Sequence, residues 1–177
     1  MELSVTIRAE QPDDIPAIRV VNDRAFGQPD EANIVEALRS SCDELLSLVA
    51  LVNGQIVGHI LFSPVTIAHP AGVLKGAGLG PVAVLPEYQR RGIGSQLIES
   101  GLAILKQGLF PYVIVLGHPE YYPRFGFRRA SQYGIRCQWN EVPDEAFMIL
   151  VVNEKDMLGV TGVARYRGEF DVADSSR

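Results

Sequence analysis

Between residues 79 and 116 a strand, a glycine-rich turn, an amphipathic helix and a second strand follow one another, and this order admits few folds. Leu79 to Leu85 reads as a strand. Ile93, Leu97, Ile98, Gly101, Leu102 and Leu105 then recur at helical spacing as one apolar face, with Glu99 and Lys106 off it, and Tyr112 to Leu116 is a compact apolar strand. A helical crossover joins strands that run parallel, because a tight turn joins only antiparallel neighbours. Gly80-Pro81 interrupts the first strand, and a proline, lacking the amide donor of a ladder, marks a bulge or an edge. A strand that departs from its neighbour there leaves an opening.

The flanking sequence adds antiparallel strands and helices. Leu3 to Arg8 alternates as a short strand, and Pro12-Asp13-Asp14 starts a helix carried by Ile15, Ile18, Val21 and Ala25. Gly27 and Pro29 break it before a second helix over about 31 to 40, with Ile34, Val35 and Leu38 on one side. Leu46 to Val52 and Gln55 to Ile67 flank Asn53-Gly54, a dipeptide that accepts the positive φ of a two-residue hairpin turn. His69 to Gly76 reads as a loop, Pro119 to Phe125 as a short helix, and Ala146 to Val152 and Gly162 to Tyr166 as strands. The polar end from 171 to 177 reads as a frayed tail after one domain over 1–170.

Composition narrows the class. A chain of 177 residues with 47% hydrophobic and 21% charged residues has the profile of one folded domain, not of a disordered segment. A net charge of -5 lacks the basic patch with which proteins grip nucleic acid. Cys42 and Cys137 fit neither a metal-ligand spacing nor a disulfide scaffold, so the expectation is no metal and a reducing compartment. The first residues lack a signal-peptide pattern and no apolar run reaches spanning length, which gives an expected cytoplasmic location with no membrane partner.

The chemistry concentrates in Gln89-Arg90-Arg91-Gly92-Ile93-Gly94, between the strand and the helix start. The first turn of a helix has unpaired N–H groups and a partial positive charge, and two glycines let a ligand approach the backbone closely. Arg90 and Arg91 add charge, so the pattern suits a diphosphate. A Walker loop would need Gly-Lys-Ser/Thr, and the dinucleotide fingerprint a third small residue where Leu97 stands. Taken alone, the six residues equally fit a surface turn rich in Gly and Arg.

Val82-Ala83-Val84-Leu85-Pro86 followed by Gln89 to Gly94 resembles the acetyl-coenzyme A signature of the GCN5-related N-acetyltransferase (GNAT) family, Q/R-x-x-G-x-G/A, at every fixed position. Tyr121-Tyr122-Pro123-Arg124-Phe125-Gly126-Phe127 is similar to the family's short helix and closing Gly-Phe, and Leu116-Gly117-His118-Pro119 is most similar to its YhbS-like branch. The resemblance covers about residues 3 to 167. It implies an α/β fold with a mixed, mostly antiparallel central sheet, a parallel, splayed strand pair and flanking helices. It also implies an acetyl-CoA-dependent N-acetyltransferase acting on a primary amine of a small molecule or peptide. In such a protein Val82 and Val84 would pair their backbone with the pantetheine arm, the amides of Arg90, Arg91, Gly92, Ile93, Gly94 and Ser95 would bind the diphosphate, and Ala83 and Gln89 would belong to the same cofactor-binding stretch.

Acyl transfer from a thioester to an amine needs a neutral nucleophile, a stabilised oxyanion and a route for the thiolate to leave. By position in the family motif, Tyr122 is the candidate donor to the thiolate; a phenol, with a pKa of about 10, keeps its proton at neutral pH. Packing beneath the cofactor is the structural alternative for that ring. His118, ending the strand, is a candidate proton acceptor through water, against a purely structural role. Glu87, Glu31 and His59 are weaker candidates for the base. A backbone N–H near Val84, freed by the bulge at Pro81, could polarise the thioester carbonyl. Trp139 with Glu141, Asp144 and Glu145 borders either an amine pocket or a solvated turn beside a packed indole. The motifs leave open a non-catalytic coenzyme A sensor or assembly module, a hydroxyl acceptor or a longer acyl chain, and exposed C-terminal strands leave open a homodimer.

Overall fold

The computed structural model describes residues 3–108 and 110–171, so all but the first residue of the expected tail at 171–177 lies outside the described residues. Residues 3–62, 81–104 and 168–171 form one compact unit and residues 63–80, 105–108 and 110–167 another. Strands β3 (Gln55–His69) and β4 (Gly72–Val84) each contribute to both.

In the first unit β1 (Val5–Ala9) pairs antiparallel with β2 (Leu46–Val52), which pairs antiparallel with β3 around Asn53-Gly54. Asn53 at φ 50° and Gly54 at φ 78° give the mirror-image turn that matches strand twist. Helices α1 (Ile15–Phe26) and α2 (Asp30–Ser41) are separated by Gly27, which caps α1 at φ 70°. Ile18, Val35 and Leu38 pack with Val49 and Leu61 in a buried cluster.

Helix α3 (Ile93–Lys106) takes the opposite face of β3, since successive strand residues point to opposite sides. Its approach depends on two positions without side chains. A Cβ at Gly58 would stand 3.0 Å from Leu97 Cδ1 and 3.2 Å from Ile93 Cγ2, and one at Gly101 would stand 2.6 Å from Phe62 Cζ. All six apolar positions read as its inner face are buried, while Glu99 and Lys106 are exposed.

In the second unit β4 and β5 (Tyr112–Leu116) run parallel, from Ala77↔Val113 to Leu79↔Val115. The ladder does not continue to Gly80 and Leu116; Gly80 has φ 148° and Pro81 follows. The departure expected from Gly80-Pro81, a bulge or an edge, falls where the parallel pairing ends. β5 pairs antiparallel with β8 (Phe147–Val151), which also pairs with the two-residue β6 (Arg128–Arg129). β9 (Gly162–Arg165) runs antiparallel to β3 and parallel to β7 (Ile135–Cys137).

One expectation is corrected: β4 starts at Gly72, so residues 72–76 are strand and not loop. The reason is steric. A Cβ at Gly76 would stand 2.6 Å from Tyr112 Cδ2, so glycine lets that ring cross the strand, and the Tyr112 hydroxyl donates to Val65 O and Leu74 O at 3.0 Å each. Gly76 serves packing, not a turn, while Gly72, at φ 134° with open space where a Cβ would stand, opens the strand directly after the turn at Pro70 and Ala71.

Candidate active site

Strand β4 delivers Val82, Ala83 and Val84 to the entrance of the loop, with Ala83 buried and the two valines half-buried. The Leu85 N–H donates to Val57 O at 2.9 Å, so the strand is anchored on β3 up to the point where the loop begins. Gln89 Nε2 reaches back to donate to Val84 O at 3.0 Å, which closes the turn on itself. Arg24, in the last turn of α1, holds both Glu87 carboxylate oxygens at 3.0 Å. Glu87 is therefore committed to a clamp, and its own backbone N–H and then Arg24 hold its carboxyl below the ordinary range. It is a poor candidate for a base.

Arg90 and Gly92 take left-handed φ values of 59° and 78°, and Gln89 to Gly92 are exposed. Such alternation of backbone hand makes successive N–H groups converge. Gln96 N–H donates to Gly92 O at 3.0 Å, so the N–H groups of Ile93, Gly94 and Ser95 precede the helical ladder, where the helix carries its partial positive charge. The buried Ile93 side chain, packed over Gly58, fixes the direction of that turn. Arg91 lies 5.8 Å from the Tyr88 ring centroid, its cation over the face. The donor set fits a diphosphate: backbone amides at a helix start, two guanidinium groups, and no carboxylate in the stretch from Tyr88 to Ser95.

In the second unit His118 and Tyr122 share one turn. The His118 carbonyl accepts from Tyr121 N at 3.1 Å and from Tyr122 N at 3.4 Å, and Tyr122 opens the 3₁₀ turn Tyr122–Phe125, which Gly126 ends at φ 96°. The Tyr122 ring meets Phe127 edge-on at 5.8 Å and Tyr121 at 5.2 Å. Burial, with the neighbouring Tyr121 second, pushes its phenol up to about 12. The group thus keeps its proton throughout the neutral range. The His118 ring is exposed; what the fold uses is its carbonyl.

His59 is fully buried and belongs to a polar chain. Its Nδ1 lies 3.1 Å from Asn22 Nδ2, which also donates to Ile18 O, and its Nε2 lies 2.9 Å from Ser47 Oγ. Ser47 donates in turn to Glu10, and Arg39 Nε donates to Glu10 at 2.7 Å. A neutral ring that accepts at Nδ1 and donates at Nε2 satisfies this chain. Burial lowers the imidazole pKa to about 4, with Glu10 opposing and Arg39 assisting. His59 is thus a structural histidine. Glu31, in the first turn of α2, accepts at 3.2 Å from Nε2 of Gln28 in the link before it. Trp139 stacks on Tyr166 at 5.1 Å and 29°, so the indole is packed.

Known proteins resemble this chain over most of its length. The acetyltransferase (GNAT) domain model matches residues 6–130. The N-acetyltransferase YhbS of Escherichia coli is 35% identical over 166 residues, spanning 93% of this chain and 98% of that protein. A crystal structure of E. coli YhbS in complex with CoA superposes with a TM-score of 0.86 at 35% identity, over 96% of this chain and 93% of that one. A GNAT acetyltransferase from Brucella melitensis in complex with acetyl-CoA gives a TM-score of 0.76 at 36% identity, over 95% and 99% of the two chains. The loop over Gln89 to Ser95, the parallel pair that ends at Leu79 and the Tyr122 turn are thus features of a member of the GNAT family of N-acetyltransferases, to which this chain belongs.

Proposed function

We propose that this chain transfers the acetyl group of acetyl-CoA to a primary amine of a small molecule or peptide, by direct attack while both substrates are bound. The observation that carries the reading is the loop in which Arg90 and Gly92 adopt left-handed φ ahead of the first α3 hydrogen bond. The solved relatives bound to CoA and to acetyl-CoA support the choice of cosubstrate. The amides of Arg90 to Ser95, with Arg90 and Arg91, hold the diphosphate, Gln89 closes the turn, and Val82 to Val84 present backbone to the pantetheine arm. The 1–170 segment acts as one catalytic domain; the family model itself crosses both compact units.

Tyr122 acts on the leaving sulfur. A phenol at about 12 is a weaker acid than an ordinary thiol, whose pKa is about 8.5, so full proton transfer to the thiolate runs uphill. Hydrogen-bond donation to the developing negative charge is the favourable contribution, since a charged acceptor strengthens the bond. His118 relays the amine proton to solvent through water. Joint positioning of the two substrates supplies up to roughly 7 to 11 kcal/mol, which makes a strong base unnecessary.

The protein works in the cytoplasm on small or peptidic amines, without a metal, a nucleic acid or a membrane, and the C-terminal strands offer a surface for a homodimer. Among the described residues no helix is long and apolar enough to cross a membrane. Thiol release from acetyl-CoA, measured against a panel of amines, polyamines, amino acids and peptides, tests the activity. Tyr122→Phe is expected to lower kcat by about 100-fold or more with little change in KM for acetyl-CoA. An unchanged kcat removes Tyr122 from the role, and CoA binding without thiol release by any acceptor replaces the enzyme with a sensor.

A further inference from the structure

The geometry points to Gly117 as the positioning residue for Tyr122: the missing side chain at 117 is the seat on which the phenol ring rests. A Cβ there would stand 2.9 Å from Tyr122 Cδ2, 3.2 Å from Cζ and closer still to Cε2. The contacts to Cδ2 and Cε2 are closer than real Cβ atoms come, so with any side chain at 117 either the backbone or the ring has to move.

The backbone is held on both sides. Gly117 N–H donates to Ala146 O at 2.9 Å, directly beyond the Leu116↔Phe147 pair of the β5–β8 ladder, so residue 117 cannot withdraw without breaking the end of that ladder. At the other side the amides of Tyr121 and Tyr122 are tied to the His118 carbonyl. Phe127 is buried at 2% exposure and meets the ring edge-on, and Tyr121 meets it at 81° on another side. The ring is bounded by a glycine floor and by Tyr121, Phe125 and Phe127, and with the backbone held at 117 it is the ring that has to give. A methyl group at 117 therefore swings the ring, and the hydroxyl at its far end moves most.

This inference rests on the role given to Tyr122, and the experiment separates the two. Gly117→Ala, Tyr122→Phe and the double variant are compared by thiol release from acetyl-CoA, using the panel amine with the highest kcat/KM, or water alone where no amine reacts. Gly117→Ala is expected to lower kcat by about tenfold or more at unchanged KM for acetyl-CoA, since small displacements of a reacting group cost this much. In the Tyr122→Phe background the same change is expected to have no further effect on kcat, the non-additivity of two residues acting as one unit. A wild-type kcat in Tyr122→Phe overturns the role of Tyr122. A large loss in Tyr122→Phe, combined with no loss in Gly117→Ala or an equal loss in both backgrounds, overturns the role of Gly117. Should Gly117→Ala unfold, urea denaturation of Gly117→Ala/Tyr122→Leu decides: recovered folding places the clash on the ring, and no recovery contradicts the seat.

Discussion

Gly92 and His59 show two ways in which one residue governs this molecule. At Gly92 a substituent would meet open space, with nothing within 4 Å, yet the φ of 78° is a region that side chains rarely adopt. A β-branched residue is the worst replacement there, so Gly92→Val is expected to weaken CoA binding about tenfold or more while leaving the melting temperature close to wild type; calorimetry and a thermal melt check both. At His59 the folded pKa of about 4 lies below the ordinary value of 6.5, so the unfolded chain binds the extra proton. Stability from this group is full above about pH 6.5 and is lost as the pH falls toward 4. Between pH 7 and pH 5 the loss is about 2 kcal/mol, and the depressed Glu10 carboxyl, held by Arg39 and Ser47 against its burial, adds loss in the same direction at lower pH. Urea denaturation at the two pH values measures it, and an equal midpoint at both would refute the neutral buried ring. Tyr122, at about 12, gives a third expectation: kcat shows no falling limb below about pH 10, because the phenol is still protonated there.

At the scale of elements, the position of α3 decides whether the loop can work. Gly58 and Gly101 let the helix lie against β3, and its first turn carries the N–H groups proposed to hold the diphosphate. Gly101→Ala places a methyl group 2.6 Å from Phe62 Cζ in a packed core and is expected to cost about 1–3 kcal/mol, despite the better helix propensity of alanine. Ala103, exposed on the same helix, is the control: its replacement by Gln is expected to be nearly neutral, and equal effects at both sites in urea denaturation would reject the close-approach account. This helix was readable from its periodicity because its inner face repeats along the sequence. The start of β4 was not, since Gly76 resembles a loop residue until Tyr112, far along the chain, is known to lie against it. β6 and β7 are too short to show alternation, and the seat at Gly117 depends on where the Tyr122 ring turns, which no local pattern encodes.

For the whole molecule, the family signature fixes more than composition does. Net charge, cysteine spacing and the lack of a long apolar run only narrowed the class, whereas Val82 to Gly94 and Tyr121 to Phe127 named a fold whose relatives superpose over nearly the whole chain. What stays hidden in the sequence is the acceptor, because no contiguous motif in it encodes acceptor recognition. The central claim is that main-chain N–H groups at the start of α3 bind the diphosphate of CoA. Isothermal titration of the folded protein with CoA and with pantetheine, which ends before the diphosphate and nucleotide, tests it most directly. The account predicts saturable binding of CoA that falls with Gly92→Val and with loss of the diphosphate; a folded protein that binds neither ligand, or both equally well, would contradict it.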